Sequence, residues 1–97
     1  MGNFGKLAHL KQILLGMEHD LGIEDLGLVQ KDIVYAATIL SETSSDFETD
    51  DIRKHALLNG VARSTFFRAL KDVVEGGYLQ HSDGTQRSAY KLAGDAK

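Results

Sequence analysis

The chain has 97 residues, 42% of them apolar and 26% charged, with no cysteine and a formal charge of −3. That length suits one domain with a single core. The missing cysteines exclude disulfide and thiolate chemistry, and the longest apolar-rich stretch, "IVYAATIL" at 33–40, is far short of the roughly 20 residues that span a bilayer.

The start, "MGNFGKLAHL", has no long apolar run of the signal-peptide kind, and Lys6 stands where a myristoylation signal needs Ser or Thr. A soluble, cytoplasmic protein is the expectation. The net charge hides a division: residues 1–52 hold three Lys and ten Asp or Glu, a balance of −7, whereas residues 53–97 hold eight Lys or Arg and four Asp or Glu, a balance of +4. Such a split suits a second half that meets a polyanion and a first half with another task.

Residues 4–21 read as a helix. Leu7, Leu10, Leu14, Met17 and Leu21 follow a 3-4-3-4 spacing, the narrow seam of helices lying side by side. Ile13 widens the stripe, and Gly16 weakens the helix by about 1 kcal/mol. The seam fits packing on its own domain or on a second copy of the chain; a small domain gains much from pairing, so a homodimer through these five residues is expected. "GIEDLG" (22–27) is a break, and "LVQKDIVYAATILSE" (28–42) is a second helix with Val29, Ile33, Ala37 and Leu40 on one face. "TSSD" (43–46) is a turn. Thr49 is the expected N-cap of a third helix, "DDIRKHALL", whose first-turn Asp50 and Asp51 favour the positive end of the helix dipole. That helix stops at Asn59-Gly60.

A fourth helix is expected over about residues 62–75. At roughly 100° per residue, Phe66, Ala69, Leu70, Val73 and Val74 share one arc, the core side. Ser64, Arg68 and Lys71 lie on the opposite arc, with Thr65 and Asp72 further round. "GG" (76–77) ends the helix, and "YLQHS" and "RSAYKLA" flank Asp83-Gly84 as two strands of a hairpin. The order gives a mainly α fold with a small β-hairpin: a winged helix-turn-helix preceded by an N-terminal helix, in one domain over residues 1–97.

An outward helix face that opens Arg63-Ser64-Thr65 and continues to Arg68 and Lys71 has the parts for the DNA major groove. Arginine pairs bidentately with guanine, hydroxyls reach bases or phosphates, and lysine neutralises phosphate. Phe67 lies at the edge of the apolar arc, where it either packs at the core boundary or touches thymine methyls. Arg87, with His81 beside the hairpin tip, suits a wing arginine on phosphate or in the minor groove, or a solvated loop arginine.

"GVARSTFFRALKDVVEGGYL" (60–79) resembles the recognition helix and following strand of winged-helix bacterial transcription regulators, the MarR-like group especially, through Gly60, Val61, Arg63, Ser64, Thr65, Phe66, Arg68, Leu70, Gly77, Tyr78 and Leu79. The resemblance covers about residues 28–93. It implies duplex DNA as partner, the 62–75 helix in the major groove, and the 78–92 wing on the backbone or minor groove. Three features depart from that pattern. Ala62 replaces the usual Ser N-cap, which shifts the expected start toward Ser64; "RKHALLNG" is longer than the usual second helix and turn; and "LAGDAK" follows the wing where the family continues into dimerisation helices and a ligand pocket. The expectation is therefore a DNA-binding lobe without that sensor.

A rival expectation is a winged-helix protein-interaction module that uses the acidic first half, with Glu24, Asp25, Glu42 and Glu48 as sensitive residues and no DNA contact. Catalysis is not expected. His9, His19, His55 and His81 lack metal-ligand spacing, the serines lack a nucleophile context, and no Gly-rich phosphate cradle follows a strand. No metal or cofactor is expected.

Overall fold

The computed structural model describes residues 2–82 and 89–93. Four α-helices and a three-stranded antiparallel sheet follow in the order α1 (Phe4–Leu21), α2 (Leu28–Leu40), β1 (Phe47–Glu48), α3 (Thr49–Arg53), a 3-10 turn (Ala56–Leu58), α4 (Arg63–Glu75), β2 (Leu79–His81) and β3 (Ala89–Leu92). The fold is mainly α, with the sheet strands ordered β1-β3-β2.

The core is built around α2 and α4, which pack on each other. Ile33, Ala36 and Ala37 of α2 face Phe66, Ala69, Leu70 and Val73 of α4. Phe47, Ile52, Leu58, Leu79 and Tyr90 close the cluster from the remaining elements. The two alanines carry little bulk, so the helices can approach closely while Phe66 and Leu70 fill the gap. Every described element except α1 contributes to this cluster.

Beyond the hairpin, the sheet has a third strand. Phe47 pairs with Tyr90 and Glu48 with Ala89, while Leu79 pairs with Leu92 and His81 with Tyr90. The "DDIRKHALL" helix is two pieces: α3 ends at Arg53, and the His55 ring accepts a hydrogen bond from the Leu57 N–H (3.2 Å) to open the 3-10 turn. The tighter turn carries Leu58 into the core, where it is buried. Thr49 is not the N-cap of α3. Glu48 occupies that position, and its backbone N–H donates to Asp51 Oδ2 (2.9 Å), so the carboxylate reaching back replaces the expected hydroxyl. Asp50 and Asp51 do sit in the first turn.

The link from α3 to α4 turns at Gly60, with φ of +86°, a conformation other residues adopt only with strain. The Ala62 departure does not move the start of α4. Ala62 itself is the N-cap in extended backbone, without a side-chain hydrogen bond, and Ser64 lies inside the first turn. The helix closes through the glycine pair: Gly77 has φ of +88°, and a Cβ on Gly76 would come within 3.1 Å of the Tyr78 ring.

α1 leaves the body. The radius of gyration of the molecule is 14.3 Å, against about 13 Å for a compact domain of this length, and its extents are 49 × 28 × 26 Å. The Gly22 N–H donates to the His19 carbonyl and the Ile23 N–H to the Glu18 carbonyl, which ends α1 and turns the buried Ile23 inward. Among the described residues no helix is long and apolar enough to cross a membrane.

Candidate nucleic-acid interface

α4 divides cleanly. Phe66, Ala69, Leu70 and Val73 are buried, Val74 is half-buried, and Arg63, Ser64, Thr65, Arg68 and Lys71 are all exposed. The division follows from the 3.6-residue period, because one arc is fixed by the α2 contact and the polar set takes what remains. Ala62 brings no side-chain acceptor to the first turn, and Arg63, Ser64 and Thr65 lie at the N-terminal, positive end of the helix dipole.

Charge along the outer face is uneven. Among the described residues, neither Arg63 nor Arg68 pairs with a carboxylate. Lys71 Nζ lies 4.0 Å from Glu75 one turn on. Asp72, which would oppose a polyanion, accepts a hydrogen bond from Gln30 Nε2 of α2 (3.1 Å) and is thereby held toward α2. Gln30 is itself fixed, since its Oε1 accepts from the Gly27 N–H (3.0 Å) at the start of that helix. The N-terminal end of α4 therefore carries unpaired positive charge, and the C-terminal end carries one lysine against two carboxylates.

Phe67 belongs to this end as well. It is 37% exposed, with the Phe66 ring edge-on at 5.1 Å. The Arg63 guanidinium lies 4.9 Å from its centroid and that of Arg53, from the end of α3, lies 5.8 Å away. An aromatic ring flanked by two guanidiniums holds both in place through cation–π attraction while leaving their outer N–H groups available. Phe67 therefore packs at the core boundary through its contact with Phe66 and is open on the rest of its surface. Nothing in the sequence marks Arg53, because its aromatic neighbour is on another helix, 14 positions along the chain.

The hairpin lies beside the C-terminal half of α4, where Phe67, Lys71, His81 and Tyr90 line an open groove. The His81 ring stacks at a tilt on Tyr90, 4.8 Å between centroids. Arg87 and the Asp83-Gly84 tip lie outside the described residues.

The expected seam residues all lie on the surface: Leu7, Leu10, Leu14, Met17 and Leu21 are 40–63% exposed, and Phe4, Ile13 and Leu15 are exposed beside them. α1 is held to the body through Glu18, which is 4% exposed. The Tyr35 hydroxyl donates to its carboxylate at 2.5 Å and Lys31 Nζ donates at 2.9 Å. The Tyr35 hydrogen bond first, and then the lysine, hold the Glu18 carboxyl below its ordinary range. Burial and the Glu18 charge push the Tyr35 phenol up, and burial, aided by Glu18, raises Asp32. The apolar stripe conceals this tether in the sequence; its one signal is Lys31 and Tyr35, four residues apart on α2.

The acidic residues of the first half are dispersed: Glu24 and Asp25 lie between α1 and α2, Glu42 follows α2, and Glu48 is in β1. A Glu24 carboxylate oxygen lies against His19 Nδ1. Among the described residues, no group of three or more His, Asp or Glu is placed to hold a metal ion. No family model matches the chain, and neither does any curated protein or solved structure.

Proposed function

We propose that this chain is a small winged-helix domain, similar to the MarR-like regulators, that binds duplex DNA sequence-specifically and acts in transcription regulation as a pair of copies joined through α1. The observation that carries the reading is the N-terminal end of α4. Two guanidiniums without carboxylate partners among the described residues, two hydroxyls and a half-open phenylalanine project from a helix whose other face is committed to the core. Arg63, Ser64, Thr65, Phe67 and Arg68 would reach base edges, with Lys71 on phosphate. The order of elements supports the winged-helix assignment, because α3, a 3-10 turn, a glycine turn, α4 and a β-hairpin follow one another in the chain. In that arrangement the hairpin and Arg87 are the wing.

The charge division favours a second reading, a protein-interaction module that uses the acidic residues of the first half and never touches DNA. Titration of a labelled random duplex at low salt separates the two. The DNA reading expects micromolar binding by the wild type, as phosphate contacts alone give roughly 10⁻⁴–10⁻⁶ M, and its loss in Arg63→Glu/Arg68→Glu. Equal behaviour of the two proteins would defeat it, and sensitivity confined to Glu24, Asp25, Glu42 and Glu48 would support the rival.

A further inference from the structure

We propose that two copies of α1 pair antiparallel, in the register that sets Leu7 against Met17 and Leu10 against Leu14 of the second copy and brings Lys6 beside its Asp20. The inference rests on α1 as the joint between copies and adds the direction and register of that joint.

The seam residues occupy an arc about 80° wide at roughly 100° per residue, and all of them are exposed. The residues flanking that arc differ in charge from one end of the helix to the other. One flank carries Lys6, Ile13 and Asp20, and the other carries Phe4, Lys11 and Glu18. Both flanks are basic toward the start of α1 and acidic toward its end. In a parallel pair, residues flanking the seam meet those five positions further along the partner, so Lys6 would lie beside Lys11 of the second copy, twice by symmetry. In an antiparallel pair, like flanks meet. Lys6 then lies beside Asp20 of the second copy, twice, the two Ile13 side chains meet near the dyad, and the like-charge contacts fall from two to one, between the two Lys11 of the other flank.

The tether to the body selects the flank and the register. Glu18 is buried against Lys31 and Tyr35, so the end of the Phe4, Lys11 and Glu18 flank is engaged with the chain's own body, although Phe4 and Lys11 are exposed. The Lys6, Ile13 and Asp20 flank is exposed at all three positions. A shift of one heptad would set Leu7 against Glu24, beyond the helix, and would ask Lys11 to pair with a Glu18 carboxylate that is already engaged. The proposed register instead matches Leu7, Leu10, Leu14 and Met17 among themselves in four apolar layers. Those layers and the flanking Ile13 would bury roughly 1,000 Å² over both copies, about the least a specific interface needs.

The chain contains no cysteine, so single cysteines are clean probes for a short bis-maleimide. Ile13→Cys should link to itself. Lys6→Cys should not, because two Lys6 positions would be about 18 Å apart along the axis at 1.5 Å per residue, but it should link to Asp20→Cys when the two variants are mixed. Lys6→Asp should raise the dimer Kd by about tenfold, two attractive pairs having become repulsive, and adding Asp20→Lys should restore it. A parallel pair gives the opposite pattern: Leu7→Cys links to itself, and Lys6→Asp tightens the dimer by removing the clash with Lys11. That result overturns the proposed direction and leaves α1 as the joint. A chain that stays monomeric by sedimentation at high micromolar concentration overturns both.

Discussion

Replacing Arg68 with alanine separates reading a sequence from holding a fold. Arg68 is exposed near the middle of the outer face of α4, and among the described residues no carboxylate pairs with it. Truncating it removes no core contact and leaves no buried charge, so stability should change by less than about 0.5 kcal/mol. In a major groove, a guanidinium paired with guanine contributes about 1–3 kcal/mol of discrimination, which is roughly 5- to 150-fold at one base pair. Lys71 provides the contrast. Its ammonium already lies 4.0 Å from Glu75, and a lysine has no bidentate geometry, so Lys71→Ala should weaken all duplexes alike and flatten the salt dependence by at most about one unit. The assay is selection from randomised duplexes, followed by competition binding against single-base-pair variants at fixed salt. Ser64→Ala should also relax one position, through loss of a hydroxyl contact. If Arg68→Ala keeps the full wild-type preference, α4 is not the reader; if its urea midpoint falls markedly, Arg68 is structural and the reasoning fails at an earlier step.

Other consequences concern the frame that carries α4. Leu14→Asp should give a monomer by light scattering that keeps its fold, because α1 contributes nothing to the core cluster, and its thermal midpoint should no longer rise with protein concentration; a dimer that survives would contradict the seam. Gly60→Ala should destabilise by about 1 kcal/mol in urea unfolding, from the +86° φ alone, since a Cβ there meets no atom within 4 Å; no loss would refute the strain. The Glu18 tether should depend on acid. Its folded pKa is lowered, so its contribution is present above the unfolded value near 4.5 and is lost as pH falls through the folded value, whereas the raised pKa of Asp32 acts in the opposite sense. Amide exchange at the end of α1 should therefore speed up as pH drops below about 4.5, after correction for intrinsic rates, and Glu18→Gln should remove that dependence; a Gln variant with the same acid response would place the tether elsewhere.

Long elements with a strong period were legible in the sequence. The spacing of Phe66, Ala69, Leu70 and Val73 identified the buried side of α4, and thereby the exposed side, because a helix committed to a core on one face leaves no choice about the other. The bounds of α1 and the glycine stops at Gly60 and Gly77 were legible for the same local reasons. What was not legible depends on residues far apart in the chain. β1 has two residues, too few for a period, and exists because Phe47 pairs with Tyr90 on β3. The break after Arg53 runs against an unbroken helical pattern, and it is set by the His55 ring and the burial of Leu58. Glu18 looked like one charge among the polar residues of an exposed helix; only Lys31 and Tyr35 make it an anchor. Phe67 was readable as a boundary residue, yet the guanidinium pair that flanks it requires α3 and α4 to meet.

The central claim, that the outer face of α4 meets duplex DNA, is tested most directly by the salt dependence of binding to a random duplex. Arg63, Arg68 and Lys71 are the three exposed cations of that face. On a random duplex, where no guanine is matched, all three would lie against phosphates, and counterion release at about 0.9 per contact gives a slope of log K against log salt near −3 for one copy and near −5 for a pair. Affinity of a single copy should then fall about 40-fold between 50 and 200 mM salt. Arg63→Glu/Arg68→Glu should lose that binding without losing its fold. Wild-type binding that is absent at 50 mM salt, or present with a slope between zero and about −1, would contradict the account.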